Sequence, residues 1–227
     1  MDDVRTIYNR LWDQFSKEMP RGNHNVDKWI DDQQDDRYGI TLITRPHDLI
    51  KQEVSSFLEE LAGIEPGQYY YPPHDMHVTV MSIISCFTGF RLQQIDKNDY
   101  REIISHCLAS VGPFEIRFEG ITASPSAILV QGFPTNSSLA LLRDNLREAF
   151  KTQNLVSSID SRYSIKTAHM TVVRFRQPVL NIEQYMQVLS SYRSHVFGVI
   201  KVNELELVFN DWYQRRDVTR LLAAFKL

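Results

Sequence analysis

Met76-His77-Val78-Thr79-Val80-Met81 is the stretch on which the fold turns, because Ala168-His169-Met170-Thr171-Val172-Val173 repeats it almost word for word. Each copy reads His, apolar, Thr, apolar. In an extended strand successive side chains face opposite ways, so His77 and Thr79 share one face while Val78 and Val80 share the other. The same alternation pairs His169 with Thr171 and sends Met170 and Val172 into a core. A single His-x-Thr on the wet face of a half-buried strand is commonplace. Two copies, each inside an apolar β-rich run, predict two lobes whose motif strands meet, with two imidazoles and two hydroxyls facing one cleft.

Composition narrows the setting. A chain of 227 residues can bury a good core as one domain or as two small ones. Its net charge of −3 gives no overall basic surface, so any phosphate site must be built from local positive charge. Cys86 and Cys107 lack CxxC spacing and read as two reduced, buried thiols. The start, Met-Asp-Asp-Val-Arg, has no basic region followed by an apolar run, and no window approaches the length of a membrane span. A cytoplasmic monomer with no membrane partner is expected.

Outward from the motifs, periodicity predicts a helix from about Asp3 to Lys17, stopping near Met19-Pro20-Arg21-Gly22, and then an acidic surface connector to Arg37. Tyr38 to Thr44 reads as strand, and Asp48 as the N-cap of a helix ending at Gly63. A loop carrying Tyr69-Tyr70-Tyr71-Pro72-Pro73 leads into the first motif strand, Met76 to Ile84. A helix over Asp96 to Val111, strands over Phe114 to Ile121 and Ala127 to Phe133, and a helix from Asn136 to Thr152 follow. A polar connection, Ser157 to Lys166, precedes the second motif strand, Lys166 to Phe175. The chain then gives a helix (Ile182 to Tyr192), one strand over Phe197 to Asn210 and a terminal strand from Val218. This order is that of an α+β fold, with a motif strand after a strand–helix pair in both halves. Residues 1–37 are expected to form a helix and connector, and 38–227 a single bilobal domain.

Two histidines across a cleft suit concerted acid–base chemistry. Imidazole titrates near pH ~6.5, so one ring can be neutral and the other protonated near neutrality. The neutral ring takes a proton from the attacking group and the charged ring gives one to the departing oxygen, each worth about 10²–10⁴-fold. Nothing in the near-symmetry says which ring does which. Thr79 and Thr171 offer hydroxyl donors to non-bridging phosphate oxygens. The scheme needs neither cofactor nor metal. His74 and His77, three apart, fall on opposite faces of a strand and make a poor metal pair.

The doubled motif, with Pro72-Pro73-His74-Asp75-Met76 ahead of the first copy, resembles the 2H phosphoesterase superfamily. His169-Met170-Thr171-Val172-Val173-Arg174 is similar to the His-x-Thr-x-x-Arg form of its 2′-5′ RNA ligase / RNA 2′,3′-cyclic phosphodiesterase branch. The resemblance implies two antiparallel sheets in a pseudo-twofold, bilobal arrangement flanked by helices. It also implies metal-independent cleavage of 2′,3′-cyclic or 2′–5′ phosphodiesters on RNA ends or small nucleotides, with ligation as the possible reverse. His77 and His169 are then the catalytic pair, and Thr79, Thr171 and Arg174 hold phosphate. Strict alternation would turn Arg174 towards the core, so its phosphate role requires the strand to end or bulge there. Tyr71 and Trp212 are the candidate stacking faces for a base. The helix and acidic stretch before Tyr38 are additional to the family layout, and Asn210 stands where it often has Ser. The competing reading is a non-catalytic module that binds RNA ends or nucleotide phosphates, although both motifs are intact.

Overall fold

Two antiparallel sheets meet in a computed structural model that describes residues 3–227, so Met1 and Asp2, part of the start read above, lie outside the described residues. Nine strands are β1 (Arg37–Thr44), β2 (Tyr69–Tyr70), β3 (Val78–Thr88), β4 (Phe114–Ser124), β5 (Ala127–Pro134), β6 (Met170–Arg174), β7 (Val196–Val202), β8 (Glu204–Asp211) and β9 (Arg220–Lys226). Five α-helices are α1 (Val4–Glu18), α2 (Asp48–Ile64), α3 (Lys97–Leu108), α4 (Ser138–Thr152) and α5 (Ile182–Ser191). One sheet runs β3-β1-β8-β9 and the other β2-β6-β5-β4-β7, every pairing antiparallel. From the motif strand outward the two orders match. Each motif strand lies beside the strand that precedes its helix (β1–α2–β3, β5–α4–β6), with two further strands beyond. The expected α+β, pseudo-twofold layout is the observed one.

What closes the gap between the motifs is β2. It sits just ahead of the first motif yet pairs with β6, Tyr69 opposite Arg174 and Tyr70 opposite Val173. Tyr71 continues the pairing by donating its N–H to the Val172 carbonyl at 3.0 Å. The chain then turns at Pro72-Pro73, where Asp75 N–H reaches the Pro72 carbonyl at 2.9 Å, and enters β3 in the other sheet. Read from sequence as loop, this segment ties the entrance of one motif strand to the edge of the other.

Boundaries shift by a few residues at several element ends, and the differences that bear on the site or the topology are these. Both motif strands begin one residue after their histidine. His47 is the N-cap of α2, so Asp48 lies in its first turn and pairs with Lys51 at 3.2 Å. The single strand expected over Phe197 to Asn210 is two strands in different sheets, β7 beside β4 and β8 beside β1. The sequence carries the sign of this crossing. Buried positions run even before Asn203 (Ile200, Val202) and odd after it (Leu205, Leu207), a slip of one in the alternation.

α1 packs on the second sheet with Tyr8, Phe15 and Met19 fully buried, and Gly22 in the left-handed conformation (φ 73°) ends the turn after it. The Tyr8 hydroxyl donates to Gly132 O at 3.1 Å and accepts from Gly132 N at 3.2 Å. A side chain at Gly132 would put its Cβ 2.0 Å from Ala168 O, so glycine there lets the chain entering the second motif lie directly over β5. Between Asn23 and Asp36 the expected connector is a strap pinned along its length. Asn25 N–H donates to Pro125 O and Asp27 N–H to Phe175 O, each at 2.7 Å. His24, at the start of the strap, accepts Val179 N–H on Nε2 at 3.2 Å.

Candidate active site

Alternation does at each motif what its residue types demand. Val78, Val80, Met170 and Val172 are fully buried in one continuous core, and the half-buried Thr79 and Thr171 turn the other way. His77, His169, both threonines and Arg174 line a single cavity of about 170 Å³. Net charge is negative overall, yet Arg162 and Arg174 both line this cavity. Among the described residues no three His, Cys, Asp or Glu side chains converge as metal ligands, and no helix is long and apolar enough to cross a membrane.

Both imidazoles are held from two residues back. His77 Nδ1 lies 2.7 Å from the Asp75 carbonyl. A carbonyl only accepts, so Nδ1 carries the proton and Nε2 is left for the cavity. His169 Nδ1 lies 2.8 Å from Thr167 Oγ1, a hydroxyl that can donate or accept. The Asp75 carboxylate accepts Arg216 N–H at 2.8 Å, tying the first motif to the turn after β8.

Burial lowers the pKa of both rings to about 4. At His77 the Asp75 carbonyl works against this shift and the Arg45 and Arg174 charges add to it. At His169 the charges of Arg143, His77 and Arg174 all add to it. The shift favours the neutral form of both rings until an anion offsets it. Residue identity supplies only the unperturbed imidazole; the low dielectric and the surrounding guanidinium groups come with the fold.

Arg174 reaches the cavity through a bulge. β5 pairs Leu129 with Thr171 and Ile128 with Val173, leaving Val172 unmatched. Val172 and Val173 both enter the core, and the next residue is returned to the His169/Thr171 side. Arg174 Nε donates to Tyr71 Oη at 3.1 Å, and its guanidinium lies 3.9 Å from Asp27 of the strap and 5.5 Å over the Tyr213 ring. Tyr71 is only 2% exposed, so it presents its hydroxyl to Arg174 and no open face for a base. Trp212 lines the cavity with the guanidinium of Arg37 4.9 Å, and that of Arg162 4.8 Å, from its ring centre.

Residues 50–209, well over half the chain, match the family model described as the 2′-5′ RNA ligase superfamily. The chain belongs to that superfamily. No curated protein sequence matches it. Among solved structures, a Thermus thermophilus protein superposes with a TM-score of 0.55 at 17% identity, covering 83% of this chain and 97% of that one. Escherichia coli LigT complexed with 3′-AMP gives 0.55 at 12% identity, covering 85% and 98%. LigT complexed with phosphate gives 0.52 at 12%, covering 85% and 97%. At these identities the likeness is one of fold.

Two residues of this superfamily member escaped the sequence reading. Arg143, on the apolar face of α4 among Leu139, Leu142 and Leu146, is 3% exposed. It donates Nε to Val80 O at 2.9 Å, and Nη2 to Thr79 O at 3.1 Å and Thr167 O at 2.8 Å. One buried guanidinium thus bridges the backbones of both motifs. A charged residue at a core position of an amphipathic helix was the available signal. Thr167 was visible only as the residue two before His169. The polar connection also closes on the site: Ser158 Oγ accepts Ser85 N–H at 2.7 Å and Arg162 donates to Cys86 O at 2.7 Å.

Proposed function

We propose that the chain is a metal-independent phosphodiesterase that opens 2′,3′-cyclic phosphates or cleaves 2′–5′-linked nucleotides, using His77 and His169 as an acid–base pair. The observation that carries this reading is that two imidazoles, that of His77 buried and that of His169 half-buried, each anchored through Nδ1, line one cavity with two threonine hydroxyls and a guanidinium. A phosphodiester carries the charge that such a cavity lacks. Between the rings it favours their protonated forms, reversing the shift that burial imposes, so substrate itself supplies the state in which one ring is charged. Thr79, Thr171 and Arg174 donate to its non-bridging oxygens, and Tyr71 positions Arg174.

The surroundings divide the labour. Charges oppose protonation of both rings, Arg45 and Arg174 at His77 and Arg143, His77 and Arg174 at His169, but only His77 has a carbonyl, that of Asp75, that favours its charged form. His77 is therefore the acid that protonates the leaving oxygen, and His169 the base that takes the proton of the attacking hydroxyl or water. Water is in large excess, so hydrolysis dominates over end joining. Trp212 supplies the stacking face for the base, and the two free, buried thiols fit a reducing, cytoplasmic compartment.

The test is turnover of adenosine 2′,3′-cyclic phosphate and of a 2′–5′-linked diadenylate in excess EDTA. The parent is expected to act on at least one of them. His77→Ala and His169→Ala each lose about 10²–10⁴-fold, and the double variant loses little more, because the rings act as a unit. A double variant as fast as the parent overturns the mechanism.

A further inference from the structure

Where β8 and its turn line the cavity, two carboxamide oxygens lack partners. Asn210, 2% exposed, donates Nδ2 to Asp211 O at 2.7 Å and to Cys86 Sγ at 3.5 Å, which uses both amide hydrogens. Flipping the amide would set Oδ1 against the Asp211 carbonyl oxygen, so the orientation is fixed. Asn210 Oδ1 is thus an acceptor, buried and without a donor. Gln214, 5% exposed, lines the same cavity, and its Oε1 likewise has no partner. Its backbone is left-handed (φ 61°), a conformation that a non-glycine residue adopts at a cost. Trp212 lies between the two in sequence and lines the cavity as well. Buried acceptors without donors are uncommon in native proteins, and two on one cavity call for a ligand.

We propose that Asn210 and Gln214 form a donor-reading subsite, in which their carboxamide oxygens accept hydrogen bonds from a neutral N–H or O–H group of the nucleoside whose phosphate lies at the histidines. Phosphate would then be recognised by charge and the nucleoside by donor pattern, in one cavity. The two acceptors are neutral, so selection by them works by rejection. A ligand that displaces solvent without bringing a donor leaves both acceptors unpaired, and such sites discriminate strongly against the analogue lacking the group. The inference rests on the phosphodiesterase reading above.

Three cyclic phosphates separate the donors: the 2′,3′-cyclic phosphates of adenosine, of purine riboside (no exocyclic amine) and of 5′-deoxyadenosine (no 5′-hydroxyl). The parent is expected to lose about tenfold to a hundredfold in kcat/KM on one of the two analogues. Which one it is identifies the group read. In Asn210→Leu and in Gln214→Gly the ratio should collapse to within about twofold, through a loss on the donor-bearing substrate alone. Gln214→Gly also relieves the left-handed backbone, so its melting temperature should not fall and misfolding cannot explain its behaviour. Equal turnover of all three substrates by the parent, or a parent-like ratio in both variants, overturns the proposal. If the parent turns over none of them and does not cleave the 2′–5′-linked diadenylate either, the phosphodiesterase reading fails. Calorimetry with the 3′-monophosphates of adenosine, purine riboside and 5′-deoxyadenosine then decides the subsite by the same ratios in affinity.

Discussion

His77 enters an 11-residue edge strand behind a backbone carbonyl, whereas His169 enters a five-residue strand behind a threonine hydroxyl; both strands bulge at the third residue after the histidine, Val80 and Val172. Chemically the two motifs are alike; their supports are not. The shared bulge returns the fifth residue after each histidine to the cavity, and that residue is Arg174 in the second copy but Ser82 in the first. Arg174 opposes the protonation of both rings, and only His77 has a backbone acceptor that works against that burden. An apparent twofold site is polar. On the function proposed above, that polarity is what would let two identical side chains perform opposite proton transfers in a fixed direction.

The largest effect expected from breaking this asymmetry lies in the leaving group. A nucleotide p-nitrophenyl phosphodiester expels an anion that needs no proton, so it makes a general acid superfluous. His77→Ala, about 10²–10⁴-fold down on a cyclic phosphate, should fall within about tenfold of the parent on the activated ester. His169→Ala should stay slow on both. The opposite pattern, rescue of His169→Ala alone, would exchange the roles. Equal rescue of both would mean that the supports do not set direction.

How much of this polarity could be read in the sequence follows from the same comparison. Local pattern sufficed wherever a property belongs to a few consecutive residues: the motif strands, the helices with apolar stripes, and the faces on which Thr79 and Thr171 lie. It also posed the Arg174 problem correctly, since alternation alone put that residue on the wrong side. Properties set by partners far along the chain were out of reach. The Tyr69–Tyr70 pairing with β6, the Arg143 bridge and the depressed imidazole pKa values all depend on which surfaces the fold brings together. Tyr71 shows both sides of this. Its position before the motif was readable, but the burial that turns it from a stacking face into an anchor for Arg174 was not.

Arg143 offers a smaller effect that acts on both lobes at once. Its three carbonyl acceptors belong to Thr79, Val80 and Thr167, so Arg143→Leu leaves three buried acceptors without donors. A loss of about 3 kcal/mol in denaturant unfolding is expected, with residual activity reduced as the motifs lose register. Arg143→Lys keeps the charge but cannot span three carbonyls, and should recover only part of the stability. An Arg143→Leu variant as stable as the parent would show that the lobes are held together by β2 and the core alone.

Smallest per residue is the pH dependence of stability, which tests the two rings independently of catalysis. Each has a folded-state pKa of about 4, below the unfolded value of ~6.5. Below pH ~6.5 the unfolded chain takes up protons that the folded chain refuses. Stability therefore falls as pH drops through that window towards about 4, by roughly 2 kcal/mol per histidine between pH 7 and 5. His77→Asn and His169→Asn should each remove part of this slope, and the double variant most of it, in unfolding curves taken across the range. Because a charge on His77 opposes one on His169, either single variant should also raise the pKa of the remaining ring, readable by NMR titration. Inorganic phosphate should flatten the parent's slope, since an anion between the rings favours the protonated forms that burial disfavours. A slope unchanged in the double variant would mean that the rings titrate as free imidazoles, and the division of roles between His77 and His169 would lose its electrostatic basis.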